Sequence, residues 1–344
     1  MLIRTASPTN PLKGFQVDRA LVQTIGRDLQ RPECILAERN GILWSADARG
    51  GVMRINPDGT QALIAQAPDP HFNLSSSAAD SLLSGTLPNG LAFAANGDIL
   101  ISNFGTDRLE RMTRSGETSV MLDSIEGRPL GKVNFVLRDS RNRIWLTVST
   151  MINPWSEAIN ATLADGSIIL IDEKGPRTVA DGFRFTNEIR FDANEEWLYV
   201  AETTGKRITR LRVLADGSLT DREIYGPSNL GSGVVDGIAF DAFGNLWATM
   251  IFADRLVAIT PEGDLLELLN DGNAAATARF EEAFASGSPV PFDVTIACGG
   301  SICPWMASVT FGGADLHTVY LGGLRATTIP FFSSPVAGLP MVHW

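Results

Sequence analysis

Short apolar runs, each announced by a polar turn, recur along this chain of 344 residues. The segments NGILWSAD (40–47), NGDILISN (96–103), RNRIWLTV (141–148), NEEWLYVAE (194–202), GNLWATM (244–250) and LHTVYLGG (316–323) share that pattern. In each, turn-forming residues lead into β-branched, aliphatic and aromatic positions, which is the signal of a strand. Aligned on one another, they place Trp44, Leu100, Trp145, Tyr199, Trp247 and Tyr320 at one equivalent position, in steps of 56, 45, 54, 48 and 73 residues. Most repeats continue into a second hairpin: GVMRINPDG, RLERMTRSG, GSIILIDEKG, RITRLRVLADG and RLVAITPEG. Four short strands in ~50 residues, six times over, predict an all-β, six-bladed β-propeller with four antiparallel strands per blade, as one domain over residues 1–344. A sandwich would not repeat at this period, and an α/β barrel would need eight long amphipathic helices. The sixth repeat lacks a clear second hairpin. The segment FQVDRALVQTI (15–25) is therefore expected to supply the strand that closes the ring.

The first strand of a propeller blade lines the central channel, and here it opens on a polar residue. Eleven positions before the anchor stand Glu33, Asn89, Asn134 and Asp236, and twelve before Tyr199 stands Asn187. In the sixth repeat the same count falls on Val309, beside Thr310. A single Asn or Asp before a strand is commonly a turn cap that bonds its own backbone. Five in register are a ring. Two carboxylates brought together in a narrow channel repel and lose hydration, so a cation should compensate them. Glu33, Asn187 and Asp236 are the expected core ligands, with Asn134 and Asn89 reaching the ion directly or through water. All are oxygen donors, which favours Ca²⁺, then Mg²⁺ or Mn²⁺, over Zn²⁺.

Three insertions interrupt the repeat, at 67–87, 149–165 and 270–290, and strand counting puts all of them on the side of the polar ring. Loops of this length in compact proteins are commonly lids or binding loops. Phe72, His71, Phe104 and Trp155 are the candidate pocket walls, and they suit an apolar or aromatic-bearing substrate. Taken alone, His71 fits surface decoration better than a proton shuttle. Phe280 and Phe284 stand one helical turn apart and predict a short amphipathic helix, either a lid or a patch on a blade edge.

Composition narrows the partners. The net charge is −11 with a pI near 4.8, which argues against nucleic acid or an anionic membrane. A small molecule or a cation fits better. No apolar run long enough for a membrane span or a signal-peptide core is present, so a soluble, cytoplasmic protein is expected. Cys34, Cys298 and Cys303 are too few for a disulfide framework and read as buried thiols. No Ser-His-Asp arrangement stands out among only three histidines.

Several of these segments resemble the SMP-30/gluconolactonase/luciferin-regenerating enzyme family. RPECI is similar to its early glutamate motif, GKVNFVLRDSRNRIWLT to its Asn-Asp segment, FTNEIRFDANEEWLYVAETTGKRITRLRV to its Asn-Gly segment, VDGIAFDAFGNLW to its Pro-Asp-Gly segment and VTFGGADLHTVYL to its closing phrase. NEEWLYVAETTGKRI resembles the bacterial calcium-dependent lactonase branch. The resemblance implies a divalent metal on Glu33, Asn187 and Asp236, Asn134 in the metal and substrate shell, and hydrolysis of a small-molecule lactone. Departures stand at Cys34, Phe135 and Glu188, where the family pattern has Gly, Asp and Gly, and the substrate-binding Arg of the sugar-lactone members has no match. A bound divalent ion would polarise the lactone carbonyl and acidify a water, with Asp236 as the expected general base. Two alternatives stay open: another metal-assisted reaction on the same scaffold (hydratase, isomerase or strictosidine-synthase-like condensation), and a metal-binding propeller without catalysis.

Overall fold

The computed structural model describes residues 9–67, 85–287 and 290–344. Blade 1 is the antiparallel sheet of Ile35–Ala37, Leu43–Asp47, Gly51–Ile55 and Gln61–Ala65. Blades 2 to 5 are built alike outward from the innermost strands Pro88–Phe93, Val133–Arg138, Thr186–Phe191 and Val234–Phe240. Blade 6 contributes Met306–Gly312, Thr318–Gly323 and Ile329–Ser333. Its fourth strand is Gln23–Ile25, paired antiparallel with Ile329–Ser333 through Gln23 and Phe331. The ring is thus closed by the N-terminal strand, inside the segment the sequence singled out. The innermost strands of neighbouring blades touch in cyclic order, blade 6 returning to blade 1. Among the described residues no helix is long and apolar enough to cross a membrane.

The anchors explain why the repeat holds. Each sits on the second strand opposite an inner-strand residue: Trp44 faces Leu36, Leu100 faces Ala92, Trp145 faces Leu137, Tyr199 faces Arg190, Trp247 faces Ala239 and Tyr320 faces Thr310. The three Trp side chains are fully buried, which requires a partner for each indole N–H. An acid six residues earlier, in the preceding turn, accepts it: Glu38 from Trp44 at 2.6 Å, Asp139 from Trp145 at 2.9 Å and Asp241 from Trp247 at 2.9 Å. One side chain thereby packs between sheets and fixes the hairpin turn.

The same registers correct one expectation. Every ring residue stands three positions before the inner-strand partner of its anchor. By that rule the blade 6 position is Ala307, not Val309, because the turn leading to Tyr320 is longer than in the other blades. Blade 6 therefore has no polar side chain at the ring position.

The third insertion carries helix α1 (Ala274–Ser286), and helix α2 (Phe292–Ala297) follows it. Asn273 caps α1 by accepting from the Ala275 and Ala276 amides, and Gly287 ends it in the left-handed conformation at φ 71°. Phe280 is fully buried and packs on Phe252 at a centroid distance of 5.0 Å.

Candidate metal centre and pocket

A β-bulge aims four of the five ring side chains, and Glu33 stands just before the first strand of its blade. Pairing between the first and second strands skips at Asn89–Gly90, at Asn134–Phe135, at Asn187–Glu188 and at Asp236–Gly237. A bulge frees one residue from the ladder and turns its side chain away from the sheet, here into the channel. It also leaves an amide unpaired. Ser102, Thr147 and Thr249, each two residues beyond an anchor, accept from the amides of Gly90, Phe135 and Gly237 at 2.9 Å. Glycine is needed at two of these bulges. A Cβ at Gly237 would lie 2.5 Å from the Ala307 carbonyl oxygen, and one at Gly90 2.7 Å from the Phe135 backbone.

The five polar residues meet in one cavity of about 60 Å³, together with Phe104 and Trp155. Three buried oxygens there have no hydrogen-bond partner among the described residues: Glu33 Oε2, Asn187 Oδ1 and Asp236 Oδ1. Asn187 is held by its amide nitrogen, which donates to Thr203 Oγ1 at 3.1 Å and leaves the carbonyl oxygen free. The Asn134 side chain differs, because Asn89 donates to its backbone carbonyl at 3.0 Å and to its Oδ1 at 3.3 Å.

Sequence reasoning missed Arg31. Its side chain is buried in the same cavity, with Nη1 2.8 Å from Glu33 Oε2, off line for a hydrogen bond, and Nη2 donating to Asn89 Oδ1 at 2.7 Å. The residue before a proline usually takes an extended conformation, yet Arg31 has φ 54°. That left-handed turn swings the guanidinium inward. Phe185, Phe252 and Trp305, all lining the cavity, also have positive φ, at 57°, 66° and 56°. Bulky residues in this region cost about 1 kcal/mol or more each and cluster at functional sites.

Below the ring, Glu188 pairs with Arg190 at 2.8 Å and accepts from the Ile238 amide at 3.2 Å. Burial raises the Glu188 carboxyl to about 7 against the pull of Arg190. Burial also raises Glu33, opposed by Arg31. Asp236 is pushed well above its ordinary range, first by burial and then by the charges of Glu33 and Glu188. The ring without a cation is electrostatically uncomfortable.

The walls are apolar. Trp155 stands on a 3-10 turn (Trp155–Ala158) of the second insertion and meets Phe104 edge-on at 5.6 Å and Phe185 at 6.5 Å. Opposite, Phe252 meets Trp305 at 5.1 Å. Trp305 is fastened by Asp254, which accepts from its amide at 3.0 Å, and by its own indole N–H on the Thr295 carbonyl at 2.7 Å. Helix α1 stands behind Phe252 and does not line the cavity, so it buttresses the wall and is not a lid. His71 and Phe72 lie outside the described residues.

Among the described residues no three His, Cys, Asp or Glu side chains come together as a metal-holding group. The ring instead mixes two carboxylates with amide carbonyls, a donor set suited to a hard cation. The three oxygens that accept no hydrogen bond fit such an ion.

A model of the SMP-30/Gluconolactonase/LRE-like region matches residues 32–278, and the chain belongs to that family. A 6-deoxy-6-sulfogluconolactonase of Pseudomonas putida is 23% identical over 182 residues, 51% of this chain and 52% of that protein. That match spans about half the length of the curated relative. The structure of a gluconolactonase from Xanthomonas campestris superposes with a TM-score of 0.64 over 93% of this chain and 94% of that one, at 18% identity. A calcium-binding regucalcin from Agrobacterium tumefaciens superposes with a TM-score of 0.62 over 92% of this chain and 95% of that one, at 14% identity. At such identities the structural likeness speaks for the fold.

Proposed function

We propose that this chain is a divalent-metal-dependent lactonase, a hydrolase that opens a small cyclic ester in the mouth of its central channel. The observation that carries this reading is the convergence of three buried oxygens that accept no hydrogen bond from the described residues, on Glu33, Asn187 and Asp236, in one apolar-walled cavity. These three would hold the ion, Ca²⁺ by preference, with Asn134 beside them. When bound, the metal supplies Lewis acidity to the lactone carbonyl and neutralises the two carboxylates. The gluconolactonase relatives support the lactone class, and the calcium-binding regucalcin supports the ion. The three free, buried thiols suit a reducing compartment, and a cytoplasmic location belongs to the proposal.

The side chains divide the remaining work. The Asp236 carboxylate, through the oxygen not engaged with the ion, takes the proton of the attacking water and later returns it to the departing alkoxide oxygen. Asn89 fixes Asn134 and is itself fixed by Arg31, so the polar rim is set before substrate arrives. Phe104, Trp155, Phe185 and Trp305 exclude bulk water and strengthen every electrostatic contact inside.

The test is proton release from sugar, aliphatic and aryl-substituted lactones, using protein stripped with chelator and refilled with Ca²⁺, Mg²⁺, Mn²⁺ or Zn²⁺. Activity should vanish on stripping and return with one ion. Asp236→Asn keeps an oxygen at the ion, and should lower kcat by about 10²–10⁴-fold with metal bound. Unchanged turnover would remove the general-base role, and silence across the panel with metal bound would point to another reaction on this scaffold.

A further inference from the structure

We infer that Arg31 makes this pocket selective for a substrate that carries one negative charge besides its reacting ester. The inference rests on the lactonase reading and deepens it. Among the described residues, the charged side chains lining the cavity are Arg31, Glu33 and Asp236. Other ions nearby are paired off: Glu188 with Arg190 at 2.8 Å, Lys132 with Asp107 at 3.0 Å, and Lys206 with Glu281. A divalent ion on two carboxylates alone would leave a neutral site. With Arg31 counted, the loaded site keeps one positive charge.

That charge cannot leave. The Arg31 side chain is 5% exposed and tethered by Glu33, by Asn89 and by the Pro88 carbonyl at 3.4 Å. Its Nε–H finds no acceptor among the described residues, so these do not fully satisfy the guanidinium. An uncompensated cation among aromatic walls is costly unless a ligand brings the opposite charge. A lactone bearing a carboxylate or another monoanionic group does so. Its neutral counterpart does not.

The experiment titrates the Ca²⁺-loaded protein with tetrahydrofuran carboxylate and with tetrahydrofuran carboxamide, a pair of similar shape that differs in charge and cannot be hydrolysed by ring opening. The carboxylate should bind at least about tenfold tighter, as expected for a hydrogen-bonded charge pair. The preference should disappear in chelator, where no ion draws Glu33 away from Arg31, and the anion should tighten Ca²⁺ binding by the same factor that Ca²⁺ tightens the anion. In Arg31→Gln the preference should fall to about threefold or less, and Arg31→Lys, which keeps the charge, should restore part of it. Equal affinities in the unaltered protein overturn the inference. An undiminished preference in Arg31→Gln puts the anion on the metal and overturns it too.

In parallel, the γ-butyrolactone with a carboxylate on its γ carbon is compared with its carboxamide as substrates. Hydrolysis of both with equal KM sinks the anion selectivity and leaves the lactonase reading intact. Hydrolysis of neither, with the binding preference present, upholds the anion site and sinks the lactonase reading.

Discussion

The two ends of the central channel are built from the same six inner strands and treat polar atoms in opposite ways. At the end where these strands begin, a cavity of about 60 Å³ gathers three oxygens and a guanidinium nitrogen without hydrogen-bond partners. At the end where they finish, a larger cavity of about 220 Å³ lies beneath the segment 339–344. Its polar groups are paired: His343 Nε2 lies 3.0 Å from the Ala37 carbonyl, Arg138 donates to the Phe93 carbonyl at 2.7 Å, and Arg190 is held by Glu188. Volume would choose the second end. Unpaired buried donors and acceptors, which cost free energy in a merely structural core, choose the first.

Deleting residues 340–344 separates the ends most sharply. Met341 packs against the core shared by blades 1 to 4, and Trp344 against the cores flanking blade 6. Losing both should destabilise the protein by about 3–5 kcal/mol, the scale of large-to-small core substitutions. Urea unfolding reads that loss. Metal-dependent turnover per folded molecule should stay within about threefold. A folded deletion variant without activity would make the larger cavity functional and abolish the contrast.

A smaller effect, of opposite sign, tests the ring. In metal-free protein Asp236 is a buried acid repelled by Glu33 and Glu188. Asp236→Asn should therefore stabilise that form by about 1–2 kcal/mol, the familiar exchange of stability for a strained functional group. With Ca²⁺ present the order should reverse, because the unaltered ring gains more from the ion. Thermal midpoints in chelator and in Ca²⁺ give both numbers. A variant less stable than the unaltered protein in chelator would mean that Asp236 has a partner in the ring.

The architecture could be read from the chain because one device, an anchor at the centre of a hairpin, repeats at nearly constant spacing. The ring followed from the same count, with one extra turn residue allowed before Tyr199, and failed at Val309, where the turn is longer still. The hydroxyls at Ser102, Thr147 and Thr249 stand at a fixed offset from their anchors, so the bulges were visible in principle. Arg31 was not, since its side chain enters the channel only through a backbone conformation that its neighbour Pro32 disfavours. Helix α1 was seen from Phe280 and Phe284, but its role depended on meeting Phe252, a contact between distant parts of the chain.

The smallest effect concerns the closed end. Burial lowers the His343 pKa below its ordinary value of 6.5, helped by the charges of Arg138 and Arg114 and opposed by Glu38 and the bond to the Ala37 carbonyl. Its ring also meets Phe93 edge-on at 4.9 Å. The folded state thus prefers the neutral imidazole, while the unfolded chain takes up a proton near the ordinary value. Stability from this group is present above that value and is lost as pH falls through the lower, folded-state value. The effect should reach about 1 kcal/mol at most, in the window below about pH 6.5. The protection of amides in residues 339–344 against hydrogen exchange, taken relative to the intrinsic rate at each pH, should fall on acidification, and His343→Gln, which keeps a donor but does not titrate, should show a smaller fall. An equal fall in the two proteins would place the acid-sensitive group elsewhere. Acid opening of this segment with turnover at the other end following only its own pH profile would show that the two ends of the channel are independent.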